Sequence, residues 1–396
     1  MLAPRTVIVI ALITGICLLG DSALYVLLPA HLEIFAVSPT AAGLILGINR
    51  YIRIISNSGT AWVVHRVGAV WPLVAAVILA GVTTLAYGLT TGFLLLFITH
   101  GFWGVSWSVL RLTGYLAAVE TGGSNAVGRH MGVFQSISRG GSLIAVVGGG
   151  MLADRIGARD TFIVFGAITF AGVALVPFAG IPMDFGRKQD EEMPPKAGQP
   201  SVNATTFQVR ILYALALVAW LVVSGLTATV GYIVATQASG GISAFGIAIG
   251  VSTFSGILLG VRWVTDLGLG PVFGHLSDLM GRQKMVVGAM GFFVVAYTTL
   301  AFSPSMAVLT VMFSIVFIGS SALMISLNAS IAESAPTEKR AMIIGRYTTW
   351  ADIGSGTGPI VALPMLTNIG SAWTYGSAAV VVVIAAIAYW VVFVER

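Results

Sequence analysis

Long apolar runs constrain this fold more than any other feature of the sequence. A helix needs roughly twenty apolar residues to cross the hydrocarbon core of a bilayer. Such runs lie at residues 6–30, 39–64, 69–90, 93–118, 131–152, 159–182, 209–236, 244–274, 285–303, 306–331, 342–366 and 372–394. Only 9% of the residues are charged, against roughly 25% in a water-soluble protein. The sequence therefore predicts an all-α membrane protein with twelve transmembrane helices.

The first run, Thr6 to Ala30, is longer than the apolar region of roughly 7–15 residues in a secretory signal. We interpret it as the first transmembrane helix, with a cleaved signal peptide as the alternative.

One long polar stretch, from Asp184 to Gln208, divides the apolar runs into six and six. Its proline, glycine and charge content favours a flexible linker over a packed domain. The sequence therefore predicts an N-terminal six-helix bundle at 1–183, a cytoplasmic linker at 184–208 and a C-terminal six-helix bundle at 209–396.

The basic residues predict the orientation. Thirteen Lys and Arg residues fall on segments that share the side of the N-terminus, and only Arg155 and Arg159 fall in loops on the opposite side. The positive-inside rule then places both termini in the cytoplasm of a multi-pass protein of the cytoplasmic (inner) membrane. Because the basic residues lie in short loops and form no stripe, the net charge of +5 does not indicate nucleic-acid binding.

The two halves resemble each other at a constant offset of 213 residues, which pairs Gly68 with Gly281 and Gly141 with Gly354. Some transporters build two related halves around a central site from such parallel repeats. The repeat therefore favours a transporter over a channel or receptor.

A loop motif follows the eighth run. We expect Gly274 to let neighbouring helices approach closely and Gly281 to make the turn. Asp278 is expected to accept hydrogen bonds or to pair with a basic residue, and Arg282 to stay at the level of the lipid headgroups. The segment reads Gly274-His-Leu-Ser-Asp278-Leu-Met-Gly281-Arg282-Gln-Lys284. It resembles the loop signature of the major facilitator superfamily, and the resemblance implies that the loop helps to close the cytoplasmic side. A basic turn after an ordinary membrane helix is the alternative.

The equivalent loop of the first half is degraded, because His65 stands where the signature has an acid. This departure from the family puts a symmetric latch in doubt.

Glycines of the fifth and eleventh runs resemble a pattern associated with exporters of the same family. The residues are Gly132, Gly141, Gly149 and Gly150 in the first half, and Gly345, Gly354, Gly358 and Pro359 in the second. The resemblance to proton antiporters implies export, although plain helix packing explains the glycines equally well.

Charged residues within the runs are candidates for function, because a charge at the bilayer centre costs roughly 2.5–3.5 kcal/mol and needs a partner or a cavity. Asp21 lies in the middle of the first run, at a depth close to that of Arg50 and Arg53 in the second. We predict an ion pair here and a role in proton coupling, with Asp21 alternating between a proton and arginine. A permanent structural salt bridge is the alternative. The eight residues are Asp21, Arg50, Arg53, Arg111, Arg139, Arg262, Asp266 and Asp352.

His100 is a second candidate for proton coupling, with a hydrogen-bonded core histidine as the alternative.

Arg139 and Asp352 occupy equivalent positions of the repeat, so they are predicted either to face each other across a central cavity or to pair within their own halves. Arg262 and Asp266 lie four residues apart, which permits a pair along one helix, either structural or part of a gate.

The five arginines exceed the three aspartates among these charges. An anionic substrate relieves that excess, because guanidinium pairs well with carboxylate or phosphate. The predicted substrate site comprises Tyr25, Arg50, Arg53, Trp103, Arg139, Tyr232, Tyr347 and Asp352.

The sequence thus predicts a monomeric secondary transporter in membrane lipid that exchanges a small organic solute, anionic or amphipathic, with protons by alternating access. A lipid or lysolipid flippase and a multidrug exporter are the alternatives. No cofactor or metal is predicted. An enzyme is disfavoured because the sequence lacks His-Glu-x-x-His, Gly-x-Ser-x-Gly and metal-ligand spacings.

Overall fold

The computed structural model describes residues 5–187, 206–237, 242–244, 247–302, 305–336 and 339–393, so most of the predicted linker lies outside the described residues. The first half is entirely helical. Its elements are α1 Arg5–Ala30, α2 Pro39–Val67, α3 Val70–Leu89, α4 Phe93–Ile156 and α5 Ala158–Ala171, which continues as the 3-10 segment Gly172–Ala179.

The second half contains six helices and one short hairpin within the described residues. Its helices are α6 Thr206–Gln237, α7 Val251–Gly268, α8 Gly270–Met280, α9 Arg282–Ala301, α10 Met306–Ser334 and α11 Arg340–Phe393. The strands β1 Ile242–Ala244 and β2 Ile247–Ile249 pair antiparallel, with Ile242 opposite Ile249.

Within the described ranges, nine stretches are long and apolar enough to cross a membrane, and the bent pair α7 and α8 makes a tenth if it forms one span. Helix α4 contains two of them, Phe93–Gly122 and Ala126–Ile156. The stretch Met342–Phe393 has 52 residues and is broken at Gly370, where φ is 85°. The prediction of an all-α membrane protein is confirmed.

Helix α2 is not among these nine stretches, because Asn49, Arg50 and Arg53 interrupt its apolar sequence. Asn49 and Arg53 are nevertheless buried. These two polar side chains of α2 therefore lie against protein.

The predicted single helix at 244–274 is wrong in two places. Residues 242–244 and 247–249 instead form paired strands, which their β-branched Ile242, Ile247 and Ile249 favour, and the helix begins only at Val251. The chain then bends by 63° between α7 and α8. Proline in the first turn of α8 explains the bend, because Pro271 begins a new helix readily but cannot continue an old one.

The chain packs as two compact units. The first comprises residues 1–192 with 231–263, and the second comprises residues 193–230 with 264–396. In the first unit α1 and α2 pack against α4 and α3 packs against α5, whereas in the second α9 packs against α10 and α11. The predicted bundles at 1–183 and 209–396, and the linker between them, remain a proposal.

Candidate functional site

A cluster of buried polar and aromatic side chains occupies the first unit, where α1, α2, α3 and α4 pack together. We call it the polar cluster. Asp21 is 7% exposed and His100 is 0% exposed, so the groups that carry charge or protons lie deep inside the protein. The members are Asp21, Tyr25, Asn49, Arg50, Arg53, Tyr87, His100, Trp103 and Trp107.

Asp21 is surrounded by groups that stabilise a carboxylate. The amide Nδ2 of Asn49 donates a hydrogen bond to its Oδ1 at 3.2 Å. The positive charges of Arg50 and Arg53 act on the same carboxylate. Asp21 and the two arginines of α2 thus form one electrostatic group, as their predicted depths suggest.

His100 is oriented by a neighbour that the sequence analysis did not single out. The hydroxyl of Tyr87 is hydrogen-bonded to Nδ1 of His100 at 2.8 Å. The other ring nitrogen, Nε2, lies 4.0 Å from Oδ1 of Asp21 and has no hydrogen-bond partner among the described residues. The two groups thus lie close together, slightly beyond hydrogen-bond range.

An aromatic wall extends from His100 along α4. The rings of His100 and Trp103 are stacked at 6.3 Å, and those of Trp103 and Trp107 at 5.9 Å. The Cζ atom of Arg53 lies 5.7 Å from the ring centre of Trp107, a cation–π distance. Both indole Nε1 groups are buried and have no hydrogen-bond partner in the described part of the chain. This wall therefore offers apolar surface, two N–H donors and a guanidinium to a ligand.

Gly104 explains how α2 and α4 approach closely enough to build the cluster. A Cβ atom at this position would lie 2.7 Å from the backbone oxygen of Asn49 and 3.1 Å from its Cα. The two helices therefore meet backbone to backbone, which places Asn49 and Arg53 beside His100 and the tryptophans.

We expect Gly104→Ala to destabilise the protein by about 1–3 kcal/mol, because the added methyl group displaces the backbone of α2. Gly101→Ala is the matched control, since a Cβ there would meet the side chains of Ile52 and Ile48 at ordinary distances of 3.6 and 3.7 Å. This control is expected to be neutral or to gain up to about 1 kcal/mol of helix propensity. Thermal unfolding in detergent distinguishes the two variants, and equal Tm values would contradict the close contact at Gly104.

The predicted substrate residues are only partly brought together. Tyr25 belongs to the cluster, since its hydroxyl donates to the backbone oxygen of Leu46 at 3.0 Å and its ring lies edge-on to His100 at 6.4 Å. Arg139 and Tyr232 belong to the first unit, whereas Tyr347 and Asp352 are buried in the second. The predicted face-to-face arrangement of Arg139 and Asp352 remains a prediction.

Asn49 and Tyr87 are the site residues that sequence reasoning missed. Asn49 is a buried polar residue directly before Arg50, so its position next to two buried arginines was an available signal. Tyr87 lies near the end of an apolar helix, where an aromatic residue ordinarily marks the membrane interface. Nothing in the sequence links it to His100.

Asp278, Gly281 and Arg282, three of the residues predicted to form a gate, belong to a local network of the second unit. Gly281 makes the turn before α9 with a φ of 88°. The Nη2 atom of Arg282 lies 3.2 Å from Oδ1 of Asp278 and 2.5 Å from Oε1 of Glu333 on α10. Asp278 thus pairs one helical turn away, while Arg282 connects the loop to α10.

The expectation that Gly274 permits close helix approach is wrong. A Cβ atom at this position would have nothing within 4 Å. Helix α8 instead contacts α10 through Ser277, whose Oγ lies 3.0 Å from that of Ser326, and this leaves space beside Gly274.

The predicted pair Arg262–Asp266 also remains a prediction. The Cζ atom of Arg262 lies 5.4 Å from the ring centre of Trp263. Asp266 accepts a hydrogen bond from the hydroxyl of Ser321 on α10.

A helical membrane protein that buries charged side chains among several helices has the features of a solute transporter. The sequence profile of the Major Facilitator Superfamily matches residues 10–267 and 252–396. The chain belongs to this superfamily, whose members are transporters and not enzymes.

Curated relatives are distant. An uncharacterised MFS-type transporter of Bacillus subtilis, YuxJ, is 24% identical over 60% of this chain and 59% of its own length. The multidrug resistance protein MdtG of Salmonella arizonae is 22% identical over 67% of this chain and 64% of its own length. The aligned part of the chain thus spans about six tenths of the length of these relatives.

Solved structures confirm the fold over nearly the whole chain. The nucleoside transporter NupG matches with a TM-score of 0.77 at 12% identity, covering 98% of this chain and 99% of that one. A bacterial homologue of the lysosomal transporter Spinster, in an inward-facing and unoccupied conformation, matches with a TM-score of 0.74 at 15% identity, covering 99% and 98%. The predicted major facilitator fold is therefore correct.

Proposed function

We propose that this transporter exports a small organic anion with apolar surface across the cytoplasmic membrane in exchange for protons. The observation that carries the proposal is the burial of Asp21 between two arginines and His100, within one unit of the fold. The coupling site is then Asp21 with His100, and the substrate site includes Arg50, Arg53 and the aromatic wall.

The arginines and the aromatic wall support an anionic substrate. A ligand carboxylate can take the place of Asp21 as the partner of Arg53, and it can accept hydrogen bonds from the indole N–H groups of Trp103 and Trp107. These N–H groups are costly to bury without an acceptor. The stacked rings provide apolar surface for the rest of the ligand.

Asp21 and His100 support coupling to protons. Protonation of Asp21 removes the negative charge that attracts the arginines, so the arginines can then bind an anion. When the anion leaves, the arginines again favour the ionised carboxylate. Substrate and proton thus bind the same positive charges in alternation, and this competition is the requirement for exchange.

Two observations support export. The relatives from Salmonella are named multidrug resistance proteins, and the glycine pattern of the fifth and eleventh runs resembles that of exporters. Several of these glycines lie at close contacts, since a Cβ at Gly141 would lie 2.3 Å from the oxygen of Gly15, and one at Gly354 would lie 2.2 Å from that of Leu217. A multidrug exporter that prefers cations and a lysolipid flippase are the competing functions.

Transport by the purified protein in proteoliposomes tests the proposal. We expect aryl and alkyl carboxylates to enter liposomes with an acidic interior at least tenfold faster than the corresponding quaternary ammonium cations and neutral amides. Passive movement does not imitate this result, because weak acids diffuse toward the alkaline side and quaternary cations have no neutral form that could be trapped inside. Equal uptake of carboxylates and quaternary cations, or stimulation by an alkaline interior, would contradict anion–proton exchange.

Movement of a fluorescent lysolipid between leaflets, without uptake of the carboxylates, would support the flippase instead.

A further inference from the structure

A second group of polar contacts lies within the first unit and comprises residues other than those of the polar cluster. It joins the turn after α1, the end of α4 and the beginning of α7. We call it the outer contact, and its members are His31, Asp154, Ser252 and Thr253.

Asp154 binds the first turn of α7. Its Oδ1 accepts a hydrogen bond from the backbone N–H of Ser252 at 3.1 Å, and its Oδ2 accepts one from the N–H of Thr253 at 2.7 Å. The first N–H groups of a helix have no partner inside it, and the helix dipole favours a negative charge there. A carboxylate from the end of α4 thus caps a helix that begins about one hundred residues later.

The backbones of the two helices leave no room for side chains at this contact. A Cβ atom at Gly150 would lie 2.3 Å from the oxygen of Ser252, and one at Gly256 would lie 2.1 Å from that of Val146. Any opening between the end of α4 and the start of α7 must therefore break both hydrogen bonds of Asp154.

His31 supports the contact from a third side. Its Nε2 lies 2.8 Å from the hydroxyl of Ser252, which is fully buried. Burial lowers the pKa of His31 below its ordinary value, and the charge of Asp154 offsets only part of this effect. The intact contact thus favours neutral His31, so protonation favours the broken contact. The contribution of His31 is complete above a pH of about 6.5 and is lost as the pH falls below that value.

The other titratable groups of the elements that meet here do not supply this behaviour. Glu33 follows His31 on the same turn and is exposed, and the first turns of α7 carry no titratable side chain. The remaining groups are Arg155, Arg159 and Asp160, which flank the turn at Gly157, and Tyr232 of α6, whose neighbour Gly231 packs against Ala30.

We propose that Asp154 and His31 are positioning residues that hold α7 against α4, and that a proton on His31 releases this contact. The proposal rests on the proposed function for its direction, because the predicted orientation places the outer contact on the periplasmic side. An acidic exterior then opens the side from which the incoming proton reaches Asp21. This step precedes, and is chemically separate from, the protonation of Asp21.

Hydrogen–deuterium exchange of the segment 248–256 in lipid nanodiscs tests the proposal, because the two amides that Asp154 binds lie in it. After correction for intrinsic exchange rates, we expect protection in the wild type to fall at least fivefold between pH 7.5 and pH 5.0. His31→Gln retains a hydrogen-bonding group but cannot titrate, so its protection is expected to be equal at the two pH values. Asp154→Asn is expected to lose at least fivefold in protection at both.

Glu33→Gln is the matched control, since it removes a titratable group two residues from His31, and it should keep the wild-type profile. Exchange of α9 in the same samples reports whether each variant is folded. The proposal is overturned if the wild type shows no pH dependence, if His31→Gln retains it, or if Asp154→Asn stays protected. These results do not depend on any substrate, so they remain interpretable if the transport experiment fails.

Discussion

Replacing Asp21 with asparagine is expected to abolish the stimulation of transport by an acidic liposome interior. Asparagine has nearly the same shape, and its Oδ1 can still accept the hydrogen bond of Asn49, which the native Asp21 accepts at 3.2 Å. It cannot bind or release a proton in the physiological range. Uptake driven by the pH gradient should therefore fall at least tenfold, to the level without a gradient.

Transport of carboxylates measured without a pH gradient distinguishes a variant that has lost proton coupling from one that no longer folds. In Asp21→Asn the charges of Arg50 and Arg53 lose their carboxylate, and removal of one partner from a buried pair can cost about 3–5 kcal/mol in stability. A bound organic anion restores the missing charge. We therefore expect downhill exchange of carboxylates to continue in folded Asp21→Asn, and added carboxylate to raise its Tm more than that of the wild type.

The control for this variant is Asp184→Asn, which removes an exposed carboxylate outside the apolar runs and should leave the gradient response intact. Asp21→Asn could instead transport less at every pH but keep the wild-type dependence on the pH gradient. In that case the aspartate only stabilises the packing of α1 against α2. The structural salt bridge would then be the correct interpretation.

The sequence was sufficient to predict most of the helices and to predict that Asp21, Arg50 and Arg53 lie near one another. Apolar runs determine where a chain can cross lipid, and a rise of about 1.5 Å per residue then fixes the level of Asp21, Arg50 and Arg53. The neighbours of these residues were harder to predict. Helices such as α1 are apolar on all sides, so the sequence does not indicate which face meets which partner.

Particular residues show the same limit. The offset of 213 residues relates Arg139 to Asp352 but does not specify what surrounds either of them. The motif at Gly274 predicted a turn, and Gly281 makes it, yet close packing occurs elsewhere, at Gly104. The sequence did not indicate a role for Asp154, because this residue lies at the end of a helix, where charged residues are common. Only the fold shows that its carboxylate caps a distant helix.

Replacing Arg53 is the sharpest test of the substrate site, because this residue combines burial, positive charge and a position over Trp107. A hydrogen bond to a charged partner contributes about 1.5–3 kcal/mol when buried. We therefore expect Arg53→Gln to raise the KM for a transported carboxylate about 10- to 150-fold. Arg53→Lys should recover only part of this loss, since an ammonium group neither pairs bidentately nor stacks on an indole as guanidinium does.

The control lies on the same helix. Arg66 also stands over a tryptophan, with its Cζ 4.4 Å from the ring centre of Trp62, but it is exposed near the end of α2. Arg66→Gln removes the same charge and the same kind of contact, so its KM should stay within twofold of the wild type. Comparing the KM for the carboxylate with the KM for its neutral amide in each variant isolates the contribution of the ligand's charge. An Arg53→Gln variant that loses affinity for both compounds equally would mean that Arg53 shapes the cavity without binding the anion.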